Sequence, residues 1–352
     1  MFKQDFINNF SLLGERISNW VENNSFEPIL ESAVASSFSN NPFFTPFMQR
    51  SSLGVIAKTF LQKSELERWL KSTAVNNNRL SSVENNVGVI MAGNIPAVGF
   101  HDFLSVLATG CGIIVKLSSK DKYLIPALAS ILCEINPFWE DRVVFLPDIN
   151  SFYNAQNNLS GSKRMKCIIA TGSNNTVQSI ANVCKGLPIL TRGRRFSFAV
   201  ISGNESEQEL ELLAKDVFLY FGLGCRSVNF FLVPKGYSFN KMVKAFGSMQ
   251  KVVAYECYIN CCKRARAISI MEGIKFIDGN FFLLKESAGV YPPMAELNYL
   301  EYESEQDIIN FVKENENQIQ KKYCTFGIAQ APKIDEYADG IDTIEFILNA
   351  TR

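Results

Sequence analysis

Residues 86–119 read NVGVIMAGNIPAVGFHDFLSVLATGCGIIVKLSS. A short apolar run ends on the turn GNIP (93–96), an apolar helical stretch follows, and a second β-branched run opens at Cys111. Neither run alternates with polar residues, which predicts parallel strands buried on both faces. The pattern then repeats. A helix is predicted over 123–136, a strand in DRVVFLP (141–147), another in KCIIATG (166–172) and a helix over 175–186. The fold class is therefore α/β, built around a parallel sheet. Ligands of such sheets bind at the carboxyl ends of the strands. Three polar turns mark those ends: GNIP, KLSSKD (116–121) and TGSNNT (171–176).

Upstream, apolar residues recur at helical spacing in FINNFSLLGERISNWV (6–21) and LGVIAKTFLQKSELERWL (53–70), with NNPFFTPF (40–47) reading as a loop. Downstream, PILTRGRRFSFAVISG (188–203) predicts two short strands around a basic turn, where the chain crosses between domains. A helix over 207–222 leads to Cys225, and SVNFFLVP (227–234) is a strand. Residues 239–273 read as one long helical stretch, 275–287 as a hairpin around Asp-Gly, 295–304 as a strand, 306–320 as a helix and 343–350 as a last strand.

Lys+Arg and Asp+Glu are both 35, so no global field points to nucleic acid or an anionic membrane. The first residues lack the apolar core of a signal peptide and read as an amphipathic helix. The longest apolar stretch contains Asn94, Pro96, His101 and Asp102, which argues against a membrane span. Nine cysteines without an export signal imply reduced thiols and a cytoplasmic protein. Cys257, Cys261 and Cys262 share one helical stretch, His101 is the only histidine, and a structural zinc wants four ligands, so no metal is expected.

Cys225 lies in GLGCRS, at a glycine-lined corner between a helix and a strand. That order is the reverse of a dinucleotide fingerprint. It suits a thiol presented to a flat substrate; the alternative is a buried cysteine at a helix end. The Asn94 amide, held by the following Ile-Pro, can donate to a developing oxyanion; the alternative is a turn asparagine. Lys116 and the two serines after it suit a ribose or phosphate, and Thr171-Gly172-Ser173 opens a helix that could bind an anion or simply be N-capped. Arg192, Arg194 and Arg195 could dock a phosphate-rich donor, or face solvent. Lys263, Arg264 and Arg266 read as a solvated helix face, and His101 as a core residue rather than a proton carrier.

With these motifs in order, GNIP, then IIVKLSS, then ATGS, then the turn at Gly193, then GLGC, the chain resembles the aldehyde dehydrogenase superfamily, and within it the LuxC-type acyl-CoA (fatty-acyl) reductases, over roughly residues 87–330. The resemblance implies an aldehyde dehydrogenase-like fold: helices 1–80 packed on a nicotinamide-cofactor domain (81–195), a smaller thiol domain (196–330) and a tail (331–352) that pairs as an oligomerisation strand. It makes Cys225 the catalytic thiol and Asn94 the oxyanion donor. It places Lys116 and Ser118 on the adenosine end of the cofactor, and Thr171, Gly172, Ser173 and Gly193 beside its nicotinamide half. Glu286 falls to the nicotinamide ribose, and a homo-oligomer is implied.

Two departures matter. Thr191 stands where hydrolytic members carry the Glu that activates water, which favours transfer between thiols over hydrolysis to an acid. Ser119 stands where NAD-preferring members often carry Glu, so the turn would welcome a 2′-phosphate and NADPH is expected. The expected reaction is NADPH-dependent reduction of a fatty-acyl thioester, on coenzyme A or an acyl carrier protein, through an acyl-cysteine. Arg192 and Arg194 would meet the donor's phosphates, and an acyl-transferring enzyme is a further expected partner. An aldehyde or semialdehyde dehydrogenase, and an inactive nucleotide-binding subunit of a lipid-modifying complex, remain as alternatives.

Overall fold

A computed structural model describes residues 2–23, 25–73, 75, 85–158, 164–184 and 186–351. The chain divides into two compact units, Met1–Gly193 with Lys333–Arg352, and Arg194–Pro332.

The first unit opens with helices α1 (Phe2–Glu22), α2 (Pro28–Asn40), α3 (Pro46–Thr59) and α4 (Lys63–Ser72). The buried face of α1 carries Phe6, Phe10, Leu13, Ile17 and Trp20, one residue per turn along a single stripe. Within 40–47, Thr45 caps α3 by accepting the Met48 N–H at 3.2 Å, and Pro46 sits where a helix tolerates it.

The alternating region forms β1 (Asn86–Ile90), α5 (Phe100–Ala108), β2 (Gly112–Lys116), α6 (Leu124–Ile135), β3 (Val143–Leu146), α7 (Ile149–Asn158), β4 (Met165–Thr171), α8 (Asn174–Val183) and β5 (Ile189–Arg192). Among the described residues these strands make one parallel sheet, ordered β3-β2-β1-β4-β5. Val87, Val89, Ile113, Val115 and Ile169 join a core with α1, α5 and α6. Their neighbours Ile90, Ile114, Ile168 and Ala170 join another with Phe152 of α7 and Ile180 of α8. Both faces are therefore covered, which is why the strands read as unbroken apolar runs. Strand order reverses between β1 and β4, so the switch point lies where GNIP and Thr171–Ser173 leave the sheet.

The second unit contains β6 (Phe196–Val200), α9 (Glu207–Phe218), β7 (Val228–Pro234), α10 (Asn240–Phe246), α11 (Glu256–Met271), β8 (Ile277–Asp278), β9 (Leu283–Glu286), β10 (Glu296–Tyr302), α12 (Glu305–Glu314) and β11 (Ile319–Tyr323). Its sheet, among the described residues, runs β11-β6-β7-β10-β9-β8 and is parallel except at the β8–β9 hairpin. Phe196, Phe198, Phe230 and Leu232 pack one face against Ile308 and Phe311 of α12.

Three sequence expectations are corrected. The stretch 239–273 is two helices, α10 and α11, because the chain tightens into a short 3-10 turn at Gly247–Met249 and leaves helical geometry until Glu256. Residues 319–323 form a strand that the preceding helical pattern hid; its IQKKY sequence is that of an edge strand, with Lys321 and Lys322 exposed. Residues 343–350 form α13 (Thr343–Ala350), not a strand. Asp342 caps it by accepting the Glu345 N–H at 3.0 Å, and the buried residues Ile344, Ile347 and Leu348 follow helical spacing. This helix joins the core of the first unit, so it offers no strand for pairing between copies.

Candidate active site

In the second unit, Cys225 is exposed. Helix α9 starts in a capping box, Ser206 with Glu209, and ends at Phe218. The chain then turns through Phe221 (φ +54°) and Gly222 (φ +72°), two left-handed residues in succession. Gly222 permits this at little cost. Phe221 is held there by stacking on Tyr258, with ring centroids 4.9 Å apart. The Asn229 side chain donates to the Gly222 carbonyl at 2.8 Å, and a Cβ on Gly222 would stand only 2.7 Å from Asn229 Oδ1. Ser197 Oγ of β6 donates to the Cys225 carbonyl at 2.9 Å, and Gln330 Nε2 donates to Ser227 Oγ at 3.1 Å. Beneath them, Asp216 of α9 is buried and accepts the N–H groups of Gly327 (2.6 Å) and Ala329 (3.0 Å). Burial raises the Asp216 carboxyl to about 6 against those hydrogen bonds. The thiol therefore sits on a braced corner. Ser197 was legible as a polar residue inside the apolar strand FSFAV; Asp216 and Gln330 carried no local signal.

In the first unit, the three expected turns lie at carboxyl ends of the parallel sheet. Asn94 is half-buried in the turn after β1. Gly93 lies so close to Ser118 that a Cβ would overlap it, so the GNIP and KLSSKD turns are packed together. Lys116, half-buried, ends β2; desolvation lowers its ammonium and Asp148 opposes that shift. Ser118 Oγ accepts the Lys120 N–H at 3.3 Å, while Ser119 and Lys120 are exposed. Ser173 caps α8 by accepting the Thr176 N–H at 3.3 Å. Thr171 Oγ1 is buried without a hydrogen bond among the described residues. Gly193 packs against the side chain of Asn174, where a Cβ would overlap the amide oxygen. A half-buried ammonium, an unsatisfied hydroxyl and a capped helix start around one switch point fit a dinucleotide.

The basic turn divides. Arg192 is 5% exposed and bound to Asp102 at 2.5 Å and Thr343 Oγ1 at 2.6 Å, so it is a buried anchor and does not reach a donor's phosphates. Arg194 is exposed, with its guanidinium carbon 4.2 Å from the Tyr291 ring centroid. Glu286, exposed, ends β9. Arg266 is taken up by Asp278 through two contacts of 2.8 Å. His101 Nε2–H donates to the Ile334 carbonyl at 2.7 Å inside a cage of Phe60, Trp69 and Tyr337, a packing role.

Residues 20–250 match the family described as acyl-CoA reductase (LuxC). No curated protein matches the chain. Among solved structures it is similar to aldehyde dehydrogenase 21 from Physcomitrella patens in complex with succinate (TM-score 0.68, 11% identity, 98% of this chain and 84% of that one). It is also similar to an NAD-dependent aldehyde dehydrogenase from Sinorhizobium meliloti (0.65, 12%, 92% and 74%). A third is an aldehyde dehydrogenase from Mycobacterium tuberculosis complexed with NAD+ (0.63, 14%, 92% and 77%). These likenesses show the aldehyde dehydrogenase fold. No helix among the described residues is long and apolar enough to cross a membrane.

Proposed function

The chain belongs to the LuxC family of acyl-CoA reductases, oxidoreductases acting on acyl groups, and on that premise we propose that it reduces a fatty-acyl thioester to the aldehyde through acyl-Cys225. The observation that carries this reading is the exposed Cys225 thiol on its braced left-handed corner.

The Cys225 thiolate adds to the thioester carbonyl. The Asn94 amide donates to the resulting oxyanion, the carrier thiolate leaves, and an acyl-Cys225 thioester remains. Lys116, Ser118 and Ser119 would hold the adenosine end of the cofactor, and Thr171, Gly172, Ser173, Gly193 and Glu286 would hold its nicotinamide half. The chemistry a bound reduced nicotinamide supplies is hydride to the acyl carbonyl. Asn94 again stabilises the oxygen charge, and on collapse the Cys225 sulfur departs with the electron pair of the C–S bond, releasing aldehyde and restoring the thiolate. Thr191, exposed on β5, cannot act as a base toward water, which supports transfer to and from thiols rather than hydrolysis. The exposed Ser119 and Lys120 favour a 2′-phosphate and hence NADPH. Exposed Arg194 offers its guanidinium to phosphates of coenzyme A or of a carrier arm.

The test is mass spectrometry of the intact protein after exposure to long-chain acyl-CoA without reductant. One acyl adduct per chain, absent from Cys225→Ala, is expected. An unmodified wild type, or an adduct that survives in Cys225→Ala, removes the reading.

A further inference from the structure

The turn that carries Asn94 is held by a side chain from another turn. Ala97 has φ +55°, a conformation costly for a residue with a Cβ. Its N–H donates to Asp121 Oδ2 at 2.7 Å, and Asp121 is 3% exposed. Its other oxygen, Oδ1, is buried without a hydrogen bond among the described residues. The Asp121 backbone closes the neighbouring turn, where its N–H donates to the Ser118 carbonyl at 3.2 Å and the two residues form an isolated bridge. A Cβ on Gly93 would come to 3.3 Å from Asp121 Cβ. From outside, Asn40 and Asn41 donate to the Ser119 and Lys120 carbonyls at 3.1 and 3.3 Å, so α2 steadies the same turn.

One buried carboxylate thus ties residues 93–97 to residues 118–121. No Lys or Arg forms an ion pair with it among the described residues. Burying a carboxylate without a cation is costly, and burial raises this one to about 6. A cost of that kind at a turn assigned to catalysis points to a task beyond packing.

We propose that Asp121 is a positioning residue: through the Ala97 N–H it sets the height of the Asn94 amide and couples the oxyanion turn to the turn that receives the cofactor's ribose. This rests on the assignment of Asn94 as oxyanion donor.

The test is a double-mutant cycle on the full chain with acyl-CoA, using Asp121→Leu, Asp121→Asn and Asn94→Ala. Asp121→Leu should lower kcat about tenfold or more while KM for acyl-CoA moves less than about twofold. Asp121→Asn keeps an acceptor oxygen and should recover most of the rate, within about threefold of wild type. In the Asn94→Ala background, either Asp121 substitution should cost less than about twofold more. A merely structural role would multiply through that background unchanged, and that result overturns the inference alone. Undiminished kcat in Asn94→Ala overturns the oxyanion assignment and the inference with it. Should Asp121→Leu fail to fold, Asp121→Ala, which also removes the acceptor, replaces it in the cycle: a loss of the same size in both backgrounds refutes the proposal.

Discussion

Asp102→Ala should destabilise the protein by roughly 3–5 kcal/mol, the cost of breaking a buried ion pair from one side. Asp102 and Arg192 are 6% and 5% exposed and meet at 2.5 Å. The guanidinium also donates to Thr343 at 2.6 Å, while its Nε has no hydrogen bond among the described residues. With Asp102 gone, a full positive charge stays in the core, answered only by a hydroxyl. At about 2–4 °C per kcal/mol for a unit of this size, Tm should fall by roughly 6–20 °C. Since the pair joins β5, α5 and α13, the C-terminal helix should lose amide-exchange protection first. The double variant Asp102→Leu, Arg192→Met should recover most of the loss, because two apolar groups leave no charge behind. Urea unfolding with hydrogen exchange on α13 reads both effects. A loss below about 1 kcal/mol in Asp102→Ala, or a double variant as unstable as the single, would refute the reasoning.

Arg194→Glu should raise KM for acyl-CoA at least severalfold with little change in Tm, whereas Arg192→Met should do the reverse; steady-state kinetics beside thermal melts separate them. The ratio of kcat/KM for NADPH to that for NADH should exceed one, and a clear preference for NADH rules out the phosphate-binding role of Ser119 and Lys120. The Asp216 carboxyl, raised to about 6 from an ordinary value of 3.8, binds its proton more tightly when folded. Its contribution to stability should therefore fall as pH rises from about 4 to about 6 and stay flat above. Urea midpoints of wild type minus Asp216→Asn across that range test the sign, and a contribution that rises instead contradicts it.

Much of the α/β architecture was legible because its signal is local. NVGVIMAG and CGIIVKL lack alternation because both faces of their strands are covered, and the turns that follow are polar because strand ends face water. The same local reasoning failed at TIEFILNA. Five apolar residues in eight fit either period, and only the core waiting under Ile344, Ile347 and Leu348 selects the helix. It failed again at IQKKY, where strand formation depends on the edge that β6 provides.

For the candidate site, the sequence by itself nominated the groups proposed to bear the chemistry: one thiol beside two glycines, one asparagine before Ile-Pro, and the lysine and hydroxyls at neighbouring strand ends. Tertiary structure alone decided which of the candidates are buried and which are exposed. Arg192 and Arg194 are indistinguishable in TRGRR, yet one is enclosed with Asp102 and the other lies on Tyr291. Asp121 passes for a loop residue until Ala97, 24 positions away, supplies its N–H. The physical reason is that side-chain chemistry is carried by composition, whereas desolvation and hydrogen-bond partnership depend on contacts between residues far apart in the chain.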